Sequence, residues 1–262
     1  MSATAYDIYG EGATVILIHG LGLNRAMWQW QLPALESEFQ VVCYDLLGHG
    51  ESPKPAGPYT MQQMVAQLDG LMIDLNISRA AMVGFSLGGL INRAFALAHP
   101  DKVAALVILN SAHGRTAAQR DSIYLRVQQA EESGPAATID AALERWFSEE
   151  FARREPQVLE QVRQWVIAND ANVYSDLYRL LAEGDKGLET EISAIDCPTL
   201  IVTGEEDHGN SPEMTRQMAS LMPDARAEVL VGLRHMALAE DPSTVNELLI
   251  EFLQRKLSQL HE

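Results

Sequence analysis

The sequence has few of the residues that mark disulfide-bonded or nucleic-acid-binding proteins. Only two of its 262 residues are cysteines, Cys43 and Cys197, which is too few for a disulfide framework. Each lies in or beside an apolar run, so both are predicted to be buried thiols. Lysine and arginine together number 19 against 36 aspartates and glutamates. The resulting formal net charge of −17 disfavours binding to nucleic acid and to anionic membrane surfaces.

Long apolar runs and metal-binding motifs are also absent from the sequence. No apolar run approaches the roughly 20 residues that a membrane-spanning helix needs. The opening stretch "MSATAYDIYGEG" lacks the basic and apolar regions of a signal peptide, so we expect a cytoplasmic protein with no membrane partner. There is no H-E-x-x-H, no cysteine cluster and no D-x-D-x-D-G loop, and therefore no metal or other cofactor is predicted.

Short apolar runs bounded by turn residues recur along the chain and predict a buried sheet. They are continuous rather than alternating, as in parallel strands that are covered on both faces. A weaker run at residues 5–10 is predicted to be an edge strand. The clearer strands are predicted at residues 14–20, 40–45, 80–86, 103–111, 199–204 and 227–232.

Helical patterns lie between most of these strands, and their alternation predicts a doubly wound, mostly parallel α/β sheet. The stretch from about residue 114 to residue 194 breaks the alternation, because it contains amphipathic helical patterns and no convincing strand. Breaks at residues 134–135, 156, 169–172 and 184 divide it. We interpret it as a helical insertion between two strands of the sheet. The alternating helices are predicted at residues 61–75, 89–99, 212–222 and 242–257.

One strand ends in "GFSLG", which fits the pattern G-x-S-x-G with Ser86 in the middle. The pattern predicts a tight strand-to-helix turn that exposes the hydroxyl of Ser86 at the carboxyl end of the strand. Gly84 and Gly88 are needed because side chains two positions to either side would come too close to the backbone. The alternative interpretation is a glycine-rich turn with a capping serine.

A serine nucleophile needs a base, and the base needs an orienting acid. Asp207 and His235 each lie three residues beyond the end of a later predicted strand. The chain order Ser86, Asp207, His235 is the one expected for a triad on this architecture. Glu205 and Glu206 are rivals for the acid.

An oxyanion in such a site needs two backbone donors. The N–H of Leu87, directly after the serine, is predicted to be one of them. The second should come from the loop "HGLGLN" after the first clear strand, where we favour Leu21 and keep Gly22 as the alternative.

Together these segments resemble the α/β-hydrolase family. The matching motifs are "HGLGLNRAMW", "DLLGHGES", "GFSLGG", "GEEDHGNSP" and "GLRHMALAEDP". Within the family the chain is most similar to the branch of 3-oxoadipate enol-lactonases and small carboxylesterases. The resemblance implies a sheet of about seven or eight strands with a helical cap inserted after the sixth. The hydrolase core would comprise residues 1–114 and 195–262, and the cap residues 115–194.

These features predict a serine hydrolase that cleaves small carboxylic esters or lactones through an acyl-enzyme on Ser86. The alternatives are a carbon–carbon bond hydrolase of the ring-cleavage type and a non-catalytic binding module. Candidate substrate-binding residues are Gly22, Arg25, Trp146 and Trp165. If the substrate carries a carboxylate, Arg25 and Arg234 are the candidate cations. The only predicted partner is this small molecule, and the oligomeric state is not predicted.

Overall fold

The computed structural model describes residues 4–258 and contains a seven-stranded sheet in the order β1-β3-β2-β4-β5-β6-β7. β1 runs antiparallel to β3, and every other neighbouring pair is parallel. The predicted α/β sheet is therefore confirmed, with seven strands. The strands are β1 (Tyr6–Tyr9), β2 (Thr14–Ile18), β3 (Gln40–Tyr44), β4 (Ala80–Phe85), β5 (Val103–Leu109), β6 (Thr199–Gly204) and β7 (Ala225–Leu230).

The strand positions follow from the apolar runs. All residues of β4, β5 and β6 are buried, as expected for strands in the middle of a parallel sheet. β1 alternates between exposed and half-buried residues and lies at one edge, as its weaker pattern predicted. β5 ends at Leu109, two residues earlier than predicted, because Asn110 adopts a left-handed backbone conformation with φ +48°.

Helices connect the strands and cover the sheet. α3 packs against β4 and β5, α2 packs against α3, and α12 packs against β5. The helices of residues 4–258 are α1 (Leu32–Leu35), α2 (Met61–Asp74), α3 (Leu87–Ala98), α4 (Ala117–Ser133), α5 (Ala136–Trp146), α6 (Glu149–Arg154), α7 (Pro156–Ile167), α8 (Ala171–Glu183), α9 (Leu188–Glu191), α10 (Pro212–Leu221), α11 (Ala237–Glu240) and α12 (Pro242–Leu257). Short 3-10 helices lie at Arg25–Trp30, Pro100–Lys102 and Ile192–Ala194.

The segment between β5 and β6 is helical, as predicted, and holds α4 to α9. The predicted insertion after the sixth strand is corrected: it follows β5, the fifth, because a single strand rather than a hairpin precedes β2. The helical pattern between the predicted breaks at residues 134–135 and 156 forms two helices rather than one. α5 ends at Trp146, and Ser148 begins α6 by accepting a hydrogen bond from the N–H of Phe151.

Both cysteines are free thiols. Cys43 is buried on β3, and burial raises the pKa of its thiol to about 12. Cys197 is only partly buried, so the prediction of a buried thiol is wrong there, because it lies in the loop before β6. Across residues 4–258, no helix combines the length and the apolar character needed to cross a membrane.

Candidate active site

Ser86 lies in a strained turn between β4 and α3. Its backbone has φ +53° and ψ −110°, a conformation that L-residues rarely adopt and that costs of order 1–3 kcal/mol. Two hydrogen bonds tie the turn to the end of β5 and the residues after it: the Ser86 N–H donates to the Leu109 carbonyl at 2.9 Å, and the Ser111 hydroxyl donates to the Ser86 carbonyl at 2.8 Å. The neighbouring strand therefore fixes the position of the serine.

The two glycines of the turn are steric requirements, as the spacing predicted. A Cβ on Gly84 would lie 2.3 Å from the carbonyl oxygen of Gly88. A Cβ on Gly88 would lie 2.1 Å from the carbonyl oxygen of Ile18 on β2. Both neighbours are backbone atoms, so neither clash can be relieved by moving a side chain. α3 consequently begins directly after Ser86, two residues earlier than predicted.

Asp207 and His235 lie together, although 28 residues separate them in the chain. The loop after β6 carries Asp207, and the loop after β7 carries His235. The Nδ1 of His235 donates to Oδ2 of Asp207 at 2.7 Å, since a carboxylate oxygen can only accept. Both side chains are buried, and the structure thus brings the two predicted residues into direct contact.

Further donors surround the carboxylate of Asp207, among them Nδ2 of Asn210, which lies 3.4 Å from both of its oxygens. Asn110 Nδ2 donates to Oδ2 at 3.0 Å, and the backbone N–H groups of Gly209 and Asn210 donate to Oδ1 at 3.2 and 3.1 Å. Burial by itself raises the pKa of Asp207, but interaction with His235 and these hydrogen bonds outweigh it. The pKa therefore lies below the ordinary value. Sequence reasoning missed Asn110 and Asn210 as partners of the acid.

The rival carboxylates have other partners. Glu205 accepts a hydrogen bond from the N–H of Gly232 at 3.0 Å, and Glu206 pairs with Arg234 at 3.2 Å. Neither bonds to His235. Asp207 is accordingly the acid that contacts the histidine.

A cavity of about 430 Å³ connects these residues with the helical insertion. Ser86, Asp207 and His235 line it from the loops of the sheet. Trp146 lines it from α5, with its ring 5.8 Å from the ring of His235. Tyr174 of α8 lines it as well. Among residues 4–258, no cluster of three or more histidine, cysteine or acidic side chains is arranged to hold a metal ion.

The predicted backbone donors lie at this cavity. Leu21 lines it, and Leu87 is the first residue of α3, directly after Ser86. Within residues 4–258, neither N–H donates to a protein acceptor. The N–H of Gly22 instead donates to Nε2 of His49 at 3.1 Å. Gly22 does not line the cavity, and its N–H is bonded to His49, so the structure places it apart from the site for which it was predicted.

Two histidines hold the loop that carries Leu21. Nδ1 of His19 lies 2.8 Å from the Gly20 carbonyl, and Nε2 accepts the N–H of Leu46 at 2.9 Å. Burial lowers the pKa of His19 to about 4 and that of His49 to about 3, so both rings are neutral at physiological pH. Neutral imidazoles can accept these backbone hydrogen bonds, so the two histidines have a structural role in this loop.

Arg25, a predicted substrate-binding residue, does not line the cavity. Its guanidinium forms ion pairs with Asp7 at 2.5 Å, with Glu51 at 2.5 Å and with the buried Asp45. The guanidinium of Arg25 is therefore paired with carboxylates of β1 and of the loop after β3.

Trp165 and Arg234 also lie outside the cavity lining. The ring of Trp165, a predicted substrate contact, packs edge-on against that of Trp30, 6.1 Å away. Arg234 pairs with Glu206 and donates to the carbonyls of Glu144 and Phe147 at 2.8 and 2.9 Å. It joins the loop of His235 to the end of α5.

Three arginines that sequence reasoning missed line the cavity: Arg115, Arg126 and Arg145. Arg126 lies on the face of α4 that also presents Gln119 and Ser122, which is a helical spacing. In the sequence, that spacing indicates a polar face of a helix. It could not be assigned to the cavity before the direction of α4 was known.

The comparisons with known proteins agree on one family. The family model described as "Alpha/beta hydrolase family" matches residues 15–248. The (E)-2-((N-methylformamido)methylene)succinate hydrolase of Acinetobacter baylyi is 30% identical over 249 residues, which cover 95% of this chain and 93% of that protein. The 3-oxoadipate enol-lactonase 2 of the same organism is 28% identical, over 97% of this chain and 94% of that protein.

A solved structure gives the same result. The crystal structure of the enol-lactonase from Burkholderia xenovorans superposes with a TM-score of 0.90 at 31% sequence identity, covering 96% of each chain. The family model spans most of the chain, including the turn of Ser86 and the loops of Asp207 and His235. This chain belongs to the alpha/beta hydrolase family.

Proposed function

We propose that this protein is a serine hydrolase that cleaves small carboxylic esters or lactones. Ser86 is the nucleophile, His235 the general base and Asp207 the acid that orients the imidazole. The observation that carries the proposal is the 2.7 Å hydrogen bond between His235 and Asp207 in the cavity lined by Ser86. A hydroxyl in a strained turn that shares a cavity with an oriented histidine fits the arrangement that nucleophilic acyl transfer needs.

The proposed reaction has two halves. The Oγ of Ser86 attacks the carbonyl carbon while Nε2 of His235 takes its proton, and the N–H groups of Leu21 and Leu87 stabilise the oxyanion. The tetrahedral intermediate collapses to an acyl-enzyme, and His235 returns the proton to the departing alkoxide. A water then attacks the acyl carbon, with His235 again accepting and returning one proton, and the acid is released from Ser86.

Two further observations support this reaction class. The enol-lactonase of Burkholderia xenovorans shares the fold, and the relatives of Acinetobacter baylyi include both a hydrolase and an enol-lactonase. The lowered pKa of Asp207 keeps this carboxylate charged at neutral pH, when it must stabilise the imidazolium that forms.

We further propose that residues 115–194 form a cap over Ser86, with residues 1–114 and 195–262 as the hydrolase core. α4, α5 and α8 supply side chains to the cavity lining, which supports this division. Residues 1–3 and 259–262 lie outside the described part of the chain. A cap of this kind excludes water and shapes the pocket, so it would select the substrate.

The test is hydrolysis of p-nitrophenyl acetate and butyrate by the wild type, by Ser86→Ala and by Ser220→Ala. Ser220 is an exposed serine on α10 and serves as the matched control. We expect Ser86→Ala to lose at least about 10³-fold in kcat and Ser220→Ala to match the wild type. Wild-type turnover by Ser86→Ala would refute the nucleophile.

A second measurement separates the alternatives. A phosphonate inhibitor should modify the wild type at Ser86, which mass spectrometry of the peptides detects. Turnover of a vinylogous diketone without turnover of any ester or lactone would favour the carbon–carbon hydrolase instead. Absence of turnover on all three substrate classes, together with no modification of Ser86, would favour a binding module.

A further inference from the structure

The helical insertion brings positive charge to the cavity of Ser86 without matching negative charge. Three arginines line the cavity, whereas Asp207 is its only acidic lining residue among residues 4–258, and that carboxylate already binds His235. In a chain with a formal net charge of −17, such a local excess of arginine runs against the overall composition.

One of the three arginines has a carboxylate partner. The backbone N–H of Arg115 donates to Asp185 at 2.9 Å, and its guanidinium lies 3.5 Å from the same carboxylate. Arg120 shares that carboxylate at 3.1 Å. Both Arg115 and Asp185 are buried, so Arg115 has its carboxylate partner within the structure.

Arg126 and Arg145 have no such partner. Within residues 4–258, no carboxylate lies within 4.0 Å of either guanidinium. Arg126 donates from Nη1 to the hydroxyl of Ser122 at 3.2 Å, and its Nε is buried without an acceptor. Burying a guanidinium N–H without an acceptor costs free energy, because the group loses its hydrogen bonds to water and forms none with the protein. Arg145, on the adjoining α5, is exposed to solvent at the cavity.

The guanidinium of Arg126 also repels those of Arg115 and Arg145. The pKa of Arg145 lies below its ordinary value, because the surrounding protein partly desolvates the guanidinium and because Arg126 repels it. Burial lowers the pKa of Arg115 too, and the charge of Arg126 adds to this effect. An anion placed between Arg126 and Arg145 would relieve the repulsion.

We propose that Arg126 and Arg145 bind a carboxylate of the substrate, so that the enzyme selects esters or lactones that carry a free acid group. This inference rests on the proposed function, because the bond to be cleaved is the one that Ser86 attacks. The guanidinium presents N–H donors in a planar fork that fits the two oxygens of a carboxylate. The substrate would lie with its acid group against α4 and α5 and its carbonyl carbon at Ser86.

The first test compares two substrates that differ in charge. p-Nitrophenyl butyrate is neutral, and the mono-p-nitrophenyl ester of glutaric acid carries a carboxylate at the far end of a similar chain. We expect the wild type to prefer the acidic ester in kcat/KM. In Arg126→Gln and in Arg145→Gln, the ratio of acidic to neutral kcat/KM should fall about tenfold or more, mainly through KM.

The control is Arg153→Gln, which removes an exposed arginine of α6 that does not line the cavity. It should leave the ratio at the wild-type value. Because the measured quantity is a ratio within one variant, partial loss of folded protein does not change it. An unchanged ratio in both cavity variants, or an equal fall in Arg153→Gln, would overturn the proposal.

A second test does not depend on turnover. Binding of succinate, of the neutral diamide succinamide and of inorganic phosphate to the wild type and to Ser86→Ala is measured by calorimetry. We expect succinate to bind both proteins more tightly than the other two, and Arg126→Gln to weaken succinate binding about tenfold or more. Absence of succinate binding, or tighter binding of phosphate, would overturn the carboxylate site. Succinate binding without ester hydrolysis would instead refute the proposed function alone.

Discussion

Asn110 and Asp207 are joined by a hydrogen bond of 3.0 Å, from Nδ2 of the amide to the carboxylate oxygen that also binds His235. Asn110 follows β5 directly and has φ +48°, a left-handed conformation that asparagine tolerates better than most residues. Asn110, at the end of β5, thus helps to orient Asp207, which follows β6.

This relationship predicts the effect of Asn110→Gly, which removes the amide without adding backbone strain. The carboxylate loses one donor, so its pKa should rise and its hold on the imidazole should weaken. We expect kcat/KM for p-nitrophenyl butyrate to fall about tenfold, since hydrogen bonds to charged groups contribute roughly 1.5–3 kcal/mol. The pH–rate profile of the variant should therefore lie below that of the wild type.

The control for Asn110→Gly is Asn172→Ala, which removes an exposed amide that binds Asp170 near the start of α8. Its kinetics and its pH–rate profile should match those of the wild type. A pH–rate profile of Asn110→Gly that overlays the wild type would show that Asn110 does not tune the acid.

The lowered pKa of Asp207 predicts how stability depends on pH. A carboxyl group whose pKa is lower in the folded than in the unfolded state stabilises the fold above its unfolded pKa, which is about 3.9. This contribution is lost as pH falls through the folded value. Asp207→Asn should therefore unfold at a lower urea concentration than the wild type at pH 7, and the difference should shrink below about pH 4.

The same variant should lose about 10³- to 10⁴-fold in kcat at pH 7, because an amide cannot hold the imidazole in the required tautomer. Glu206→Gln serves as its control, since Glu206 pairs with Arg234 and not with His235. A urea midpoint difference between Asp207→Asn and the wild type that stayed constant from pH 7 to pH 3 would contradict the assigned pKa direction.

Substitution by alanine should have opposite effects on stability at two glycines, Gly88 in the turn of Ser86 and Gly70 in α2. Gly88→Ala places a methyl group 2.1 Å from a backbone oxygen of β2, so we expect a loss of about 1–3 kcal/mol or more in the free energy of unfolding. A Cβ on Gly70, within α2, would meet nothing within 4 Å. Gly70→Ala should therefore gain about 0.5–1 kcal/mol from helix propensity.

Urea unfolding of the two variants measures both effects in one experiment. Ester hydrolysis by Gly88→Ala should fall along with stability, because the clash displaces the turn that carries Ser86. Equal stabilities of Gly88→Ala and Gly70→Ala would show that the turn can relax around the methyl group.

Sequence reasoning located the site because parallel strands end at one edge of the sheet. Once "GFSLG" marks a strand end, side chains that follow later strands must lie near it, and Asp207 and His235 do. Their positions depend only on strand order and on the length of each loop. The catalytic roles follow from chemistry and remain predictions.

Contacts between segments that lie far apart in the sequence could not be predicted in the same way. Arg25 follows a strand that ends beside Ser86, but its partners Asp7 and Glu51 lie 18 and 26 residues away, and only the folded chain brings them together. Arg126 and Arg145 lie on helices whose direction the periodicity does not determine. A helical pattern identifies a polar face without saying what that face covers.

Two tryptophans of the insertion provide the last prediction. Trp146 lines the cavity 5.8 Å from His235, whereas Trp165 packs against Trp30 outside it. Trp146→Ala should raise KM for p-nitrophenyl butyrate about five- to tenfold, because the substrate loses an aromatic wall. Trp165→Ala should lower the melting temperature and leave KM within about twofold of the wild type. Because both changes remove the same side chain from the insertion, an equal rise in KM would mean that loosened helices, rather than contact with the substrate, set the affinity.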